Sequence, residues 1–182
     1  MKKDLRVIKT KANLYEALVH LLQIKTIDKI SISELCKEAN INRGTFYLHY
    51  ADISMLFDDY FQTVTEDLKI AYYEPYILTG NKIENLKAEM VRIFHHVDKY
   101  KLFYSVVFNK KAPLMYYYQL FDILKEYLSE QLEDEDATLM SYKSSYQADA
   151  IIGIIIEWVK RDFKESVTDL NEIIMKITKG FK

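Results

Sequence analysis

Glycine, proline and cysteine are scarce in this sequence. Its 182 residues include four Gly, two Pro and one Cys. Turns and loops depend heavily on Gly and Pro, so their scarcity argues against a β-rich or loop-rich protein. The single Cys36 excludes an internal disulfide and a cysteine-based metal cluster, which is typical of a protein in the reducing cytosol. We therefore expect a cytoplasmic protein.

Long apolar segments and a targeting signal are also missing. The longest apolar run, Ala150–Ile156, is far too short to cross a bilayer as a helix. The N-terminal residues MKKDLRVIKTK contain neither the apolar core nor the small-residue cleavage site of a signal peptide. We therefore expect no membrane span and no secretion.

The residues that are abundant favour helices. Hydrophobic residues make up 49% of the chain and charged residues 29%, a balance that allows a substantial core. Apolar side chains recur at steps of three and four residues, which is the helical period. We predict an all-α fold of about nine helices. It would comprise a three-helix domain at residues 1–52 and a second helical domain at residues 53–182.

Charge is distributed unevenly along the chain. The net charge is −2, but residues 1–50 hold nine Lys or Arg against five Asp or Glu, a net of +4. Cations crowd the first turns of a helix predicted from about Asp4 to Leu22, where they oppose the helix macrodipole. They are Lys2, Lys3, Arg6, Lys9 and Lys11. Attraction to phosphate explains them better than stability does, although a solvated charged face remains an alternative. The apolar stripe predicted for this helix is Ile8, Ala12, Tyr15, Val19 and Leu22.

The segment from Ser31 to Tyr50 predicts two short helices joined by a tight turn. Ser31 and Glu34 have the spacing of a capping box at the start of the first helix. Asn40 suits the left-handed conformation that ends a helix and starts a turn. Asn42 is a good N-cap for the second helix.

The second of these helices, RGTFYLHY, has two distinct faces. Phe46 and Tyr50 are four residues apart and are expected to face inward, and Cys36 on the preceding helix is expected to be a small core residue. A short helix whose exposed start is small, basic and hydroxylated suits the major groove of DNA. The side chains expected to face outward are Arg43, Gly44, Thr45, Tyr47, Leu48 and His49.

Further helices are predicted after this segment. One runs from an N-cap at Asp52 to about Tyr73 and is ended by Pro75. Asn81 begins another helix, and Pro113 occupies the first position of a later one.

The helix predicted from Leu139 to Lys164 is apolar on almost every side. Such a helix must be covered all round, and Gly153 would let another helix approach closely. Together with the last helix, it is predicted to form half of an intermolecular four-helix bundle. A core helix within one subunit is the alternative. The predicted dimer contacts are Ala148, Ile151, Ile152, Ile155, Val159, Ile173 and Ile177.

No catalytic or metal site stands out in the sequence. His95 and His96 are adjacent on a helix, so their side chains point about 100° apart and do not easily chelate one ion. The acidic run Glu133–Asp136 lacks the spacing and glycine of a calcium loop. Tyrosines in the second domain favour either an aromatic-lined effector pocket or an ordinary core. We expect no enzyme activity, no cofactor and no metal.

The segment Arg6–Leu68 resembles the N-terminal region of TetR/AcrR-family transcriptional regulators, which are tetracycline-repressor-like. The string ISISELCKEANINRGTFYLHYAD carries the resemblance, and RGTFYLHY is close to the family's recognition helix. The later string IIGIIIEWVKRDFKESVTDLNEII resembles a common C-terminal region in which the last two helices form a dimer. The resemblance implies a homodimer that binds a palindromic double-stranded DNA operator and responds to a small-molecule effector. We expect a repressor.

The resemblance also implies roles for individual residues. Arg43, Gly44 and Thr45 match positions that contact base edges, and Tyr47 and His49 match positions that bind phosphates. The helix start that meets the DNA backbone is matched by Ser31 and Ser33. Asn42 and Leu48 complete the predicted contact set.

The chain departs from the family pattern at three points of this region. Leu48 replaces an aromatic residue, so a phosphate contact is lost or an apolar contact with thymine is gained. Asn40 stands in the turn where the family usually has Gly. Ala51 and Ile53 stand where the family often has lysine, which leaves fewer phosphate contacts. The missing lysines favour the alternative of a helical co-regulator or adaptor that acts through protein–protein contacts without binding DNA by itself.

Overall fold

The computed structural model of the chain describes residues 5–80, 87–110, 112–130 and 136–180, with the side chains of the last helix described as far as Ile177. Within these residues the secondary structure consists of nine α-helices and two short 3-10 turns, with no strand. The predicted all-α fold is confirmed. The helices are α1 (Leu5–Ile24), α2 (Ile32–Glu38), α3 (Arg43–Tyr47), α4 (Ile53–Leu78), α5 (Ile93–Lys99), α6 (Lys101–Val107), α7 (Met115–Ser129), α8 (Ala137–Lys160) and α9 (Val167–Gly180).

The chain is divided into two compact units, residues 1–64 and 65–182. The division falls inside α4, so this helix contributes residues to both units. The domain boundary predicted between residues 52 and 53 lies just before the helix begins.

The first unit is organised around α1, which packs against α2, while α2 packs against α3. The apolar stripe predicted for α1 is wrong in its first turns, because Ile8 is 47% exposed and Ala12 is also exposed. Apolar residues recur at three- and four-residue steps on two neighbouring faces of this helix, and tertiary packing decides which face is buried. Its buried residues are Leu14, Ala17, Leu18, Val19 and Leu21.

The second unit contains the remaining helices around an aromatic-rich core. In this unit α7 packs along α8, α6 contacts α5 and α8, and α9 packs against α5 and the 3-10 turn Ala88–Met90. The indole N–H of Trp158 donates to the backbone carbonyl of Glu165 at 3.0 Å, which fixes the chain as it leaves α8. The largest fully buried side chains of this unit include Phe94, Phe103, Tyr104, Leu120 and Trp158.

Helix α4 begins as predicted but extends further than predicted. Asp52 caps it by accepting a hydrogen bond from the Met55 backbone N–H at 2.8 Å. The end predicted near Tyr73 is wrong, since the helix continues through Pro75 to Leu78. A proline removes only one N–H donor, and the Pro75 carbonyl still accepts from Thr79 at 3.1 Å. The helix therefore keeps its hydrogen bonding for one more turn.

The starts of the later helices depend on local caps. Helix α7 begins after Pro113 and Leu114 rather than at the proline. Asp136 caps α8 by accepting from the backbone N–H groups of Thr138 and Leu139, both at 3.0 Å. The predicted helix start at Asn81 and most of the acidic run, residues 133–135, lie outside the described residues.

Candidate nucleic-acid interface

The helix-turn-helix between α2 and α3 is set by three short-range caps, each of which was predicted. The Ser31 hydroxyl accepts from the Glu34 backbone N–H at 3.2 Å. Asn40 adopts the left-handed conformation with φ at 52°, so the chain turns sharply after α2. The Asn42 side chain then accepts from the Gly44 backbone N–H at 2.9 Å and starts α3. Each contact spans at most a few residues, which explains why sequence patterns found them.

The inner face of this segment is buried as predicted. Phe46 is 0% exposed and Tyr50 is 3% exposed, and their rings lie in contact. Cys36 is also buried, and burial raises the pKa of its thiol, with a smaller opposing effect from the charge of Arg43. A buried thiol with a raised pKa is poorly suited to redox sensing, so Cys36 is a core residue.

The outer face carries the residues predicted to contact DNA. Leu48 is 81% exposed and Tyr47 is 52% exposed. Arg43 and Gly44 are exposed, while Thr45 and His49 are partly exposed. Ser31, Ser33 and Asn42 are exposed as well, so the fold keeps the whole predicted contact set accessible to solvent.

The backbone at Gly44 leaves space for a larger side chain. A Cβ added there would meet only the Asn42 side-chain oxygen, at 3.5 Å, which is an ordinary contact. Glycine inside a helix costs up to about 1 kcal/mol relative to alanine. The packing of the chain therefore does not require glycine at this position.

A polar cluster that sequence reasoning missed lies behind the helix-turn-helix, and we call it the Asp59 cluster. One carboxylate oxygen of Asp59 on α4 accepts hydrogen bonds from Lys11 Nζ at 2.7 Å, the Tyr15 hydroxyl at 2.6 Å and the Tyr50 hydroxyl at 2.5 Å. Burial opposes ionisation of Asp59, but these three donors outweigh it and hold the pKa of the carboxyl below its ordinary value. No short-range pattern could reveal the cluster, because Lys11 and Tyr15 are 48 and 44 residues from Asp59 in the sequence.

The Asp59 cluster changes the interpretation of one basic residue. Lys11 was grouped with the cations expected to attract phosphate, but its ammonium group forms an ion pair with Asp59 at 2.7 Å. The same ammonium group lies 5.5 Å from the centre of the Tyr50 ring. Lys11 therefore joins α1 to α4 within the first unit.

The structure separates the predicted dimer contacts into two groups. Ala148, Ile152 and Ile155 are at most 2% exposed in the single chain. These three side chains need to be reassigned as core residues, because packing against their own chain leaves almost no surface for a partner. Ile151 and Val159 are partly exposed, and Ile173 and Ile177 are 38% and 40% exposed.

His96 in the second unit occupies a buried polar network. Its ring nitrogens lie 2.9 Å from Asp67 and 2.9 Å from the Tyr104 hydroxyl. Among the described residues, no group of three His, Cys, Asp or Glu side chains is placed to hold a metal ion. In the same part of the chain, no helix is both long enough and apolar enough to cross a membrane.

Comparison with known proteins identifies the family. Residues 84–180 match the family TetR_C_8, described as a transcriptional regulator C-terminal region. The chain belongs to the TetR family of transcriptional regulators. This TetR-family chain is also 23% identical over 169 residues to YxbF of Bacillus subtilis (strain 168), an HTH-type transcriptional regulator. That match covers 91% of the chain but 44% of the relative, so the chain spans less than half of the length of that protein.

Two solved structures share the fold of this TetR-family chain. DhaS, a dihydroxyacetone kinase operon activator, matches with a TM-score of 0.66 and 20% identity, covering 92% of this chain and 93% of DhaS. Lin0861 from Listeria innocua matches with a TM-score of 0.54 and 20% identity, covering 100% of this chain and 96% of that protein. Both similarities concern the fold.

Proposed function

We propose that this regulator binds a palindromic DNA operator as a homodimer and represses transcription until a small molecule binds its second unit. The observation that carries the proposal is the outer face of α3, where polar and apolar side chains are held exposed over a fully buried Phe46. A helix presented in this way can enter a major groove with its side chains already in place.

The side chains of α3, and Leu48 directly after it, would each contact the DNA bases in a different way. Arg43 would donate two hydrogen bonds to a guanine, and Thr45 offers both a hydroxyl and a methyl group. Gly44 has no side chain, so the helix could approach the bases closely there. The packing of the chain itself does not require glycine at this position. Leu48, at 81% exposed, would contact a thymine methyl. These contacts would specify sequence.

Other exposed groups would position the protein on the DNA backbone. The hydroxyl of Tyr47 and the ring of His49 would donate to phosphates beside the major groove. Ser31, Ser33 and Asn42, at the starts of α2 and α3, would supply further backbone contacts. Such contacts fix register but read no sequence. Exposed cations of the first unit, such as Lys9 and Arg43, would displace counterions from the DNA, so binding should weaken steeply as salt rises.

Dimerisation would bring two such helices to successive turns of the DNA. Ile173 and Ile177 on α9 are partly exposed apolar side chains, and Gly153 on α8 has no atom within 4 Å of an added Cβ. Together with Ile151 and Val159, they remain the proposed contacts. Exposed apolar surface of this kind is commonly covered by a partner chain.

The second unit would hold the effector. We keep the functional division at residues 1–52 for DNA binding and 53–182 for effector binding and dimerisation. Tyr72, Tyr73 and Tyr127 form an aromatic group in which the ring centres lie 5.2–5.5 Å apart, with the Lys69 ammonium near two of the rings. Aromatic rings of this kind line many small-molecule sites, although here they also pack as core.

The proposed direction of regulation, repression, is opposite to the direction named for one structural neighbour. DhaS, which has a similar fold, is named an operon activator. A reporter gene placed behind the operator decides the direction, since a repressor lowers expression and an activator raises it.

A single selection experiment tests DNA binding. The purified chain is incubated with a pool of random-sequence duplexes, the bound DNA is sequenced, and affinity for the enriched duplex is measured across a salt series. Enrichment of a two-fold-symmetric site, with a steep salt dependence, supports the proposal. If no sequence is enriched and salt has little effect, the chain is better explained as a helical co-regulator that works through protein contacts.

A further inference from the structure

The Asp59 cluster joins the recognition segment to the rest of the first unit. Its three donors come from two places in the sequence, Lys11 and Tyr15 on α1, and Tyr50 immediately after the turn that ends α3. The acceptor, Asp59, lies on α4. One carboxylate oxygen therefore binds α1, α4 and the end of the recognition segment together.

The recognition helix needs such an external support. Helix α3 contains five residues, Arg43–Tyr47, and a helix that short has little stability of its own. Its inner side is held by two aromatic residues, Phe46 through apolar burial and Tyr50 through burial and the hydrogen bond to Asp59. Apolar contacts tolerate sliding, whereas a short hydrogen bond to a charged acceptor defines a direction.

We propose that Asp59 is a positioning residue for DNA recognition and sets the orientation of the exposed face of α3 through Tyr50. The inference rests on the proposed DNA-binding function and extends it to a residue on another helix. Asp59 itself is not assigned any contact with DNA.

The other partners of Asp59 allow the role of the Tyr50 hydroxyl to be tested in a folded protein. A partly buried carboxylate is costly unless it is paired and hydrogen-bonded. Lys11 supplies the opposite charge at 2.7 Å, and the two tyrosine hydroxyls supply further donors. Removal of the Tyr50 hydroxyl would leave Asp59 paired and bonded, so the variant should stay folded while the recognition segment loses its directional contact.

Two conservative variants test the proposal. Tyr50→Phe and Tyr15→Phe each remove one hydroxyl from the same carboxylate oxygen, but only Tyr50 adjoins α3. The probe is the duplex that the wild-type chain enriches from a random-sequence pool, compared with an unselected duplex of equal length. We expect Tyr50→Phe to weaken binding to the selected duplex by up to roughly tenfold. The hydrogen bond is present in the free protein as well, so only the part of its free energy that orients the recognition segment is lost from binding. We expect Tyr15→Phe to change binding far less.

A second pair of variants controls for charge. Asp59→Asn and Asp58→Asn remove the same charge from adjacent positions of α4, and Asp58 is exposed. We expect Asp59→Asn to reduce the ratio of specific to nonspecific affinity and Asp58→Asn to leave it unchanged. All variants are compared at a temperature where circular dichroism shows them fully folded. If Asp59→Asn does not fold, the comparison of Tyr50→Phe with Tyr15→Phe tests the positioning role by itself.

The possible outcomes are distinct. Loss of discrimination in Tyr50→Phe but not in Tyr15→Phe supports the positioning role. The positioning role is overturned if both variants lose affinity equally, in proportion to their lost stability. It is also overturned if Tyr50→Phe binds as the wild type does. In both cases the proposed DNA binding stands. If the wild-type chain enriches no duplex, the proposed function fails and the positioning role fails with it.

Discussion

In the buried core of the second unit, Nε2 of His96 lies 2.9 Å from the hydroxyl of Tyr104. The other ring nitrogen lies 2.9 Å from Asp67, whose second oxygen accepts from Lys99 at 2.9 Å. A carboxylate only accepts hydrogen bonds, so Nδ1 carries the proton and Nε2 accepts from Tyr104. The network is complete when His96 is neutral.

This arrangement predicts that acid weakens the second unit. Burial lowers the pKa of His96 and outweighs the opposing effect of Asp67. The folded chain therefore keeps His96 neutral at a pH where the unfolded chain has begun to bind a proton, below about pH 6.5. The free energy of unfolding should fall as pH is lowered from that point, by at most about 1.4 kcal/mol per pH unit from this residue.

Urea unfolding of His96→Gln at several pH values checks this expectation. The variant should lose the part of the pH dependence that begins near pH 6.5, while His95→Gln, at an exposed neighbour, should keep it. Identical pH profiles for the wild type and His96→Gln would rule out the assigned role.

Arg43→Ala should weaken operator binding. The exposed guanidinium would make paired hydrogen bonds to one guanine, so its loss should cost roughly 1–3 kcal/mol and relax specificity at one base pair. The measurement is affinity for the selected duplex and for its single-base variants. Lys110→Ala, which removes an exposed cation from the second unit, is the control for charge alone. Equal losses in the two variants would mean that Arg43 acts only through its charge.

Gly44→Ala should preserve or raise the stability of the chain but weaken its binding to the operator. The added methyl group meets only the Asn42 side-chain oxygen, at 3.5 Å, and alanine improves helix propensity by up to about 1 kcal/mol. The free energy of unfolding should therefore stay equal or rise, while operator affinity falls because the helix can no longer approach the bases as closely. Thermal unfolding and a DNA titration on the same sample provide both values. Unchanged affinity would show that the DNA does not approach Gly44.

Gly153→Leu should disrupt the dimer without harming the subunit. Space beside Gly153 is open in the single chain, since a Cβ added there meets nothing within 4 Å. In a dimer that uses this face, the same side chain would prevent close approach of the partner helix. Sedimentation equilibrium should show a shift from dimer to monomer. Gln147→Leu, at an exposed position on another side of α8, should remain dimeric. A dimeric Gly153→Leu variant would move the interface elsewhere.

Short-range features of this protein could be predicted well. The caps at Ser31, Asn42 and Asp52 and the left-handed turn at Asn40 were all predicted, because each depends on a side chain and a backbone group a few residues apart. The burial of Phe46 and Tyr50 was predicted correctly from their spacing of four residues. The predicted helix RGTFYLHY is too long, however, since α3 ends at Tyr47 and Tyr50 follows the turn after it. Helix ends were predicted less well, since Pro75 is accommodated within α4.

Long-range features were decided by the tertiary structure. The sequence alone determined the all-α class, the helix-turn-helix and the side chains on its outer face, because helical periodicity and capping act over a few residues. It could not determine that α8 buries Ala148, Ile152 and Ile155 within its own chain, since an apolar stripe does not say which surface will cover it. Nor could it place Lys11 and Tyr15 of α1 beside Tyr50 and Asp59, because segments so distant in sequence meet only when several helices have packed together.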